Sequence, residues 1–586
     1  MRETSNGHQT KKDSFVLQAG VLAVAGIIVR LIGILYRAPL THIIGDEGNG
    51  YYTHAYNIYT IILLIASYSI PSAMSKVVSQ HLALGENKNA MRIVRMAFLY
   101  VVVVGGAASL LTWIFAPFLV ESRSVPVLRI FTPTIFLSGI LGVLRGFFQS
   151  LKTMVPTSVS QILEQILNAT VSVSAAWLLI RLTTSTDKSF LAMRGAMGSA
   201  LGTGCGVLIA FIFLAVTLYR YKDRIKASLK PEKEDYHLMD NREVLKVILT
   251  VVTPFILSTF IYNFSTSLNQ TIYTKIMKLH FGMSEARIAT NYGIFAGKAV
   301  VLANIPIALA SAMSSAIIPS ISSAYAAKDL DRTRQQVDTA IRATMLISIP
   351  SAIGLAALAQ PVTRLLFPQK ESLETASLLL MSISITVVFY ALSTLTNAVL
   401  QGIGKVNTPV HHATAALIVQ TFVLVLLLRR FGFGLYSLSM AMIVYSFLMC
   451  VLNQIAVRKA LSYKQEIIKT FIIPTYAAML MGTFAHVAYR VIYERVGSSA
   501  LSLLCAILIA VGIYLILVLR TGGITRDEIR GIPKGAVIEK VLDKTGLLRA
   551  AEARFARYER HKKFIEEKRK QRGEAKKQKE EEKRRS

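Results

Sequence analysis

Windows of about 20 mostly apolar residues recur along this chain, each long enough to cross a bilayer core of about 30 Å as a helix. Fourteen can be read, at 15–36, 51–70, 96–119, 128–151, 159–180, 197–219, 247–269, 291–317, 341–358, 376–400, 409–428, 433–456, 467–489 and 500–519. With 53% hydrophobic residues and a mean hydropathy of +0.49, the chain is too apolar for an ordinary soluble protein. Strand-like alternation with regular turns is absent, which argues against a β-barrel. The expectation is an all-α, polytopic membrane protein. Its first window is too long for a signal-peptide core, carries Arg30, and is followed by no small-residue cleavage site, so it is expected to stay in the mature protein.

Lysine and arginine set the orientation. With the N-terminus cytoplasmic, 26 of them fall in or beside the inner segments ahead of the tail and 14 in the outer ones. An even number of spans then leaves both termini cytoplasmic. The net charge of +31 is in good part this inside bias and needs no nucleic acid to explain it. The tail from Arg520 holds 22 basic and 12 acidic residues and few aromatics for stacking. That composition suits anionic phospholipid headgroups better than RNA.

Chemistry of other kinds finds little support. Cys205, Cys450 and Cys505 all lie in apolar windows without metal-ligand spacing and read as small buried thiols. No zinc motif, phosphate loop, nucleophile elbow or paired-carboxylate site appears, so neither a resident metal nor an enzyme activity is expected. The tempting "GTGCG" at 202–206 sits mid-span with no strand before it, and Gly198, Gly202 and Gly206 recur every four residues. That is the close-packing pattern of membrane helices.

Two halves of the chain resemble each other. "YSIPSAMSKVVSQHLALGENKNAMRIVRMAFLY" (68–100) matches "SAIIPSISSAYAAKDLDRTRQQVDTAIRATMLI" (315–347) in order: a helix end, Ile-Pro-Ser, a charged connector, then a basic entry into the next helix. "RGFFQSLKTMVPTSVSQILEQI" (145–166) matches "NAVLQGIGKVNTPVHHATAALIVQ" (397–420) at a similar offset, close to 250 residues. The organisation expected is a cytoplasmic N-terminus (1–14), an N-lobe of six spans (15–219), a cytoplasmic linker loop (220–246) and a C-lobe of six (247–456). Two added spans (467–519) and the basic tail (520–586) follow. Homologous lobes around a central cavity make a transporter architecture, working by rocking of one lobe against the other.

The few ionisable residues inside the spans are the candidate site. A guanidinium keeps its charge, so at bilayer depth each costs several kcal/mol unless compensated. Arg30 and Arg37 are seven residues apart, which puts them about 20° from eclipsed on a helix, with Gly33 on the same face leaving room. Either they line a polar cavity or, for Arg37 near the outer end above all, they snorkel to the headgroups. Lys298 is a third embedded cation, and Arg145 lies near the inner end of its span. Glu164, flanked by Gln161, Gln165 and Asn168, is the one carboxylate well inside a span; an ion pair, a coupling-ion site and an interfacial position all stay open for it. The predominance of positive charge favours an anionic ligand, and guanidinium suits phosphate through bidentate hydrogen bonds.

The stretch "RLIGILYRAPLTHIIGDEGNGYYTHAYNIY…IPSAMSK" (30–76), the two-lobe repeat and the span count resemble the multidrug/oligosaccharidyl-lipid/polysaccharide (MOP) exporter superfamily. Within it the resemblance is to the MurJ-type lipid II flippase and stage V sporulation protein B branch, over most of residues 12–520. The resemblance implies first-helix arginines facing a cationic cavity, here Arg30 and Arg37, a basic residue after the lobe junction, here Lys298, and an acidic residue after the first helix, here Asp46 or Glu47 in the loop. It implies movement of an undecaprenyl-pyrophosphate-linked cell-wall precursor to the outer leaflet of the bacterial cytoplasmic membrane, without covalent chemistry or a cofactor. Coupling to sodium, protons or membrane potential stays open. So do three rival readings: export of other lipid-linked polysaccharide units, cation-coupled multidrug export, and a non-transporting scaffold holding cell-wall synthesis proteins through its tail.

Overall fold

The computed structural model describes residues 25–523 except Ile27, Ile34, 65–69, Lys152, 229–230, 234–235, Pro368 and Lys464; the side chains at 72–73, 226, 228, 249, 251–263, 312 and 315–320 are also outside the described set. The expected N-terminal segment, the first part of the first span and nearly all of the basic tail therefore lie outside the described residues. Within them no strand occurs and the chain is helical almost throughout.

The helices are α1 (Arg37–Leu63), α2 (Ile70–Leu84), α3 (Asn87–Leu119), α4 (Ser122–Ser150), α5 (Val155–Arg181), α6 (Lys188–Ser228), α7 (Asn241–Leu279) and α8 (285–326). After them come α9 (Leu330–Ala357), α10 (Ala359–Leu366), α11 (Lys370–Ile383), α12 (Thr386–Gly402), α13 (Asn407–Phe431), α14 (Tyr436–Leu461), α15 (Ile468–Val496) and α16 (Ser499–Arg520). Their starts are written in the sequence. Asp240 and Glu243 form a reciprocal capping box on α7, while Ser284, Asp329 and Ser498 accept from the first-turn N–H groups of α8, α9 and α16. Proline opens α5 and the α-helical part of α15, where a missing N–H costs nothing.

Most helices outrun the apolar windows that announced them. Ten are long and apolar enough to cross a membrane, and the pair α11–α12, bent by 43°, makes an eleventh. Length and hydropathy therefore support eleven spans among the described residues and do not establish all fourteen expected. The single span expected at 376–400 is this broken pair, and the linker loop expected at 220–246 is shorter, because α6 runs on to Ser228 and α7 begins at Asn241.

A larger correction falls between the first two spans, where a loop carrying Asp46 and Glu47 is expected. Helix continues from the first span into α1: Tyr36 N–H donates to Ile32 O, and Leu40 N–H to Tyr36 O. One residue then kinks the chain. Gly45, at φ 70° and ψ −179°, takes a conformation that a side chain would strain, and helix resumes at once. Asp46 and Glu47 thus stand in the first turn of the resumed helix, where the unpaired N–H groups favour acidic side chains.

Helices α1–α6 pack together as one lobe, with the tightest seam between α5 and α6. There a methyl on Gly198, Gly202 or Gly206 would overlap Ala176 N, Ser172 Oγ or Glu164 O, so the four-residue spacing serves close approach. Helices α7–α14 form the second lobe, and α15–α16 lie against α9. Between lobes, α7 reaches both ways: Val244 and Ile248 join the core of α2 and α3, while Ser265 and Asn269 hydrogen-bond Gln420 of α13. Trp113, Phe115 and Phe118 of α3 are exposed, an arrangement suited to lipid and unsuited to water.

Candidate functional site

The bend at Gly45 marks one end of the molecule, where Gly48 meets the Ala192 carbonyl in the first turns of α6; the 41-residue α6 runs from there to Ser228, at the linker end. Near the bend the two lobes meet backbone to backbone. A methyl on Gly50 of α1 would overlap the Ala289 carbonyl of α8, and one on Gly293 would overlap the Asp46 carbonyl. Glycine at these two positions lets the helices cross without side chains between them.

Polar contacts fasten the same seam. Lys298 Nζ lies 2.6 Å from Asp46 Oδ1 and donates to Ser372 Oγ at 2.7 Å; Ser372 in turn donates to Asp46 Oδ2 at 2.5 Å. Lys298 is 1% exposed, so its charge is met by a carboxylate from the opposite lobe rather than by solvent. Gln369 donates to the Thr41 carbonyl at 2.8 Å, Asn57 to Gln270 at 2.6 Å and to Tyr292 at 3.4 Å, and Ser122 to Glu285 at 2.8 Å. Beside the last contact a crevice of about 660 Å³ runs between the lobes, with Glu121, Lys278 and Glu285 in its wall. Lys278 pairs with Glu285 at 2.6 Å. Burial, then the neighbouring Glu285 carboxylate, push Glu121 up to about 7 against the pull of Lys278.

Below the latch lies a second cavity, of about 340 Å³, lined on one side by Arg30, Gly33 and Arg37 and on the other by α8 from Val301 to Ser311, including Asn304. The two arginines and the glycine between them share one face, as their spacing requires. Arg30 donates to the Ala308 carbonyl across the cavity, and Arg37 hydrogen-bonds the side chain of the adjacent Tyr36. Among the described residues no carboxylate is within ion-pair distance of either guanidinium. The cavity is therefore a place of uncompensated positive charge with polar amide and hydroxyl groups opposite.

The other candidates go elsewhere. Lys298 does not line this cavity and is neutralised in the latch. Arg145 donates to Glu164 at 2.6 Å and to Ser160 at 3.1 Å, so of the three roles open for Glu164 the ion pair is the one seen. Glu47 accepts from Tyr51 at 2.7 Å within α1. Sequence reasoning missed the lobe–lobe partners Ser372, Gln369, Asn57 and Gln270, which carry no local signal. It also missed Gly293 and Gly297, the latter set close against the Asn49 side chain of α1; their four-residue spacing was legible by the rule already applied to Gly198–Gly206.

Residues 16–325 match the family described as polysaccharide biosynthesis protein, and 296–426 match the MatE family. The chain belongs to the polysaccharide biosynthesis protein family. This family member is 24% identical to the stage V sporulation protein B of Bacillus subtilis, over 89% of this chain and 98% of that one. It is 26% identical to the lipid II flippase MurJ of the same organism, over 66% of this chain and 72% of the relative. Among solved structures it is similar to a lipid II flippase MurJ in an inward closed conformation (TM-score 0.61, 13% identity, 86% of this chain and 97% of the other). It is also similar to an inward-facing multidrug resistance MATE family transporter of the MOP superfamily (TM-score 0.54, 15% identity, 75% and 94%). The family member thus has the MOP-superfamily fold and is a multi-pass membrane protein.

Proposed function

We propose that this protein moves an undecaprenyl-pyrophosphate-linked cell-wall precursor, of which lipid II is the leading candidate, from the inner to the outer leaflet by alternating access. The observation that carries this reading is the pair Arg30 and Arg37 in one inter-lobe cavity with no carboxylate among the described residues to neutralise them. Two guanidinium groups on one face can hold a pyrophosphate through charge-assisted, bidentate hydrogen bonds. At about 340 Å³ the cavity falls in the range of small-ligand sites, about 300–1,000 Å³. The polyprenyl tail would stay in the bilayer while the headgroup crosses.

The basic residues argue for the linker end as cytoplasmic, which makes the Gly45 end the outer one. With Gly50 against Ala289 and Asp46 bound to Lys298 and Ser372, the outer end is closed in this state, and the reaction cycle requires that seam to part. No protein group forms a covalent bond to the cargo; the residues bind the headgroup, shield it from hydrocarbon and release it. A cation-coupled multidrug exporter would want a free carboxylate at depth, and Glu164 is tied to Arg145.

Reconstitution of the purified chain in proteoliposomes tests the reading. Labelled lipid II, an undecaprenyl pyrophosphate bearing another glycan, and an organic cation would be offered under imposed sodium, proton and electrical gradients. Appearance of a pyrophosphate lipid in the opposite leaflet is expected, and the gradient that drives it identifies the coupling. Cation efflux without lipid movement, or no movement of either lipid by folded protein, would contradict it.

A further inference from the structure

Away from the inter-lobe cavity, the N-lobe carries a groove of about 950 Å³ where α5 and α6 splay apart below the Gly198–Gly206 seam. Its walls are apolar: Phe148 from α4, Val159 and Leu163 from α5, and Ile212, Phe213 and Val216 from α6. Ile212 and Val216 are 44% and 46% exposed, so the groove opens to the protein's surroundings and not into its core. Toward the linker end the lining changes character. Thr217, Arg220, Tyr221 and Arg224 close it there, with Arg220 and Arg224 four residues apart on one helical face. The Arg224 guanidinium lies over the Tyr221 ring at 5.6 Å. Among the described residues neither arginine has a carboxylate within ion-pair distance, and Lys222 adds to the local charge against Asp223 alone. None of Arg30, Arg37, Arg145 or Glu164 lines the groove.

We infer that this groove holds one anionic glycerophospholipid of the surrounding membrane, its acyl chains against Val159, Leu163, Ile212 and Val216 and its phosphate between Arg220 and Arg224. An apolar trough ending in unpaired guanidinium groups at the level where α6 leaves the apolar zone matches a lipid in both halves: hydrocarbon against hydrocarbon, phosphate against arginine. The chain's own tail is a poor occupant, since its 22 basic and 12 acidic residues would repel the arginines. The site is separate from the cargo cavity, so it serves anchoring of the N-lobe to its leaflet rather than transport of the bound lipid.

Native mass spectrometry of the full-length chain in mild detergent, titrated with phosphatidylglycerol or phosphatidylcholine, tests the inference. Wild type should retain one phosphatidylglycerol in preference to phosphatidylcholine. The double variant Arg220→Ala/Arg224→Ala should lose that retention by about thirty-fold, from two surface-cation contributions, while Arg220→Lys/Arg224→Lys keeps part of it. Val216→Trp, which fills the trough and leaves both charges, should lose it too. Arg458→Ala/Lys459→Ala, a basic pair at the end of α14, should change nothing. Equal retention of the two lipids, unchanged retention in Arg220→Ala/Arg224→Ala, or displacement of phosphatidylglycerol by undecaprenyl pyrophosphate would overturn it.

Discussion

Lys298 and Asp46 bring opposite charges into a seam where either alone would be stranded. Removing one partner of a buried pair costs about 3–5 kcal/mol, whereas replacing both can be close to neutral. Asp46→Asn and Lys298→Met should each destabilise the protein by about 3 kcal/mol, and the double variant should recover most of that loss, as read by unfolding in detergent. A different residue-scale signal comes from Glu121 in the turn between α3 and α4. One of its carboxylate oxygens is buried without a hydrogen-bond partner, and the group sits at about 7. Because the folded value is raised, the folded protein binds the proton more tightly than the unfolded chain does. Its contribution to stability is full below the ordinary carboxylate range and is lost as pH climbs through about 7. Thermal melts across that window should fall with rising pH in wild type and fall less in Glu121→Gln.

At the scale of the element, the crossing of α1 and α8 depends on the absence of side chains. Gly293→Leu should leave each lobe folded but keep the seam from closing. Transport should cease, and a cysteine at Ser122 should react faster with a membrane-impermeant thiol reagent than in the parent. The windows of apolar residues made most spans legible, because a helix in lipid must satisfy its backbone internally and cover itself with apolar side chains. Their ends were not legible. Hydropathy stops where side chains turn polar, while hydrogen bonding carries α6 from Lys188 to Ser228. The first turn was misread for a related reason: the gap between the windows 15–36 and 51–70 was taken as loop, whereas helix runs through it with a single break at Gly45. Of the candidate site, the common face of Arg30, Gly33 and Arg37 followed from helical period. The partners of Lys298 did not, since Asp46 and Ser372 lie in other spans and only the packed lobes bring them together.

For the whole molecule, the lobes are held at the Gly45 end by glycine contacts, the Asp46–Lys298–Ser372 latch and the Asn57–Gln270 bond, and the cationic cavity lies directly beneath. Opening that end while closing the other would carry the cavity from one leaflet to the other without changing its lining. The direct test is flipping of labelled lipid II in proteoliposomes by wild type, Arg30→Ala and Arg37→Ala, each checked by thermal melt. Wild type should transport and both variants should lose at least about ten-fold in rate while melting within a few degrees of it, since a charge-assisted bond to phosphate contributes about 1.5–3 kcal/mol. Transport that survives both substitutions in folded protein would mean that the arginines only reach for headgroups, and would contradict the account.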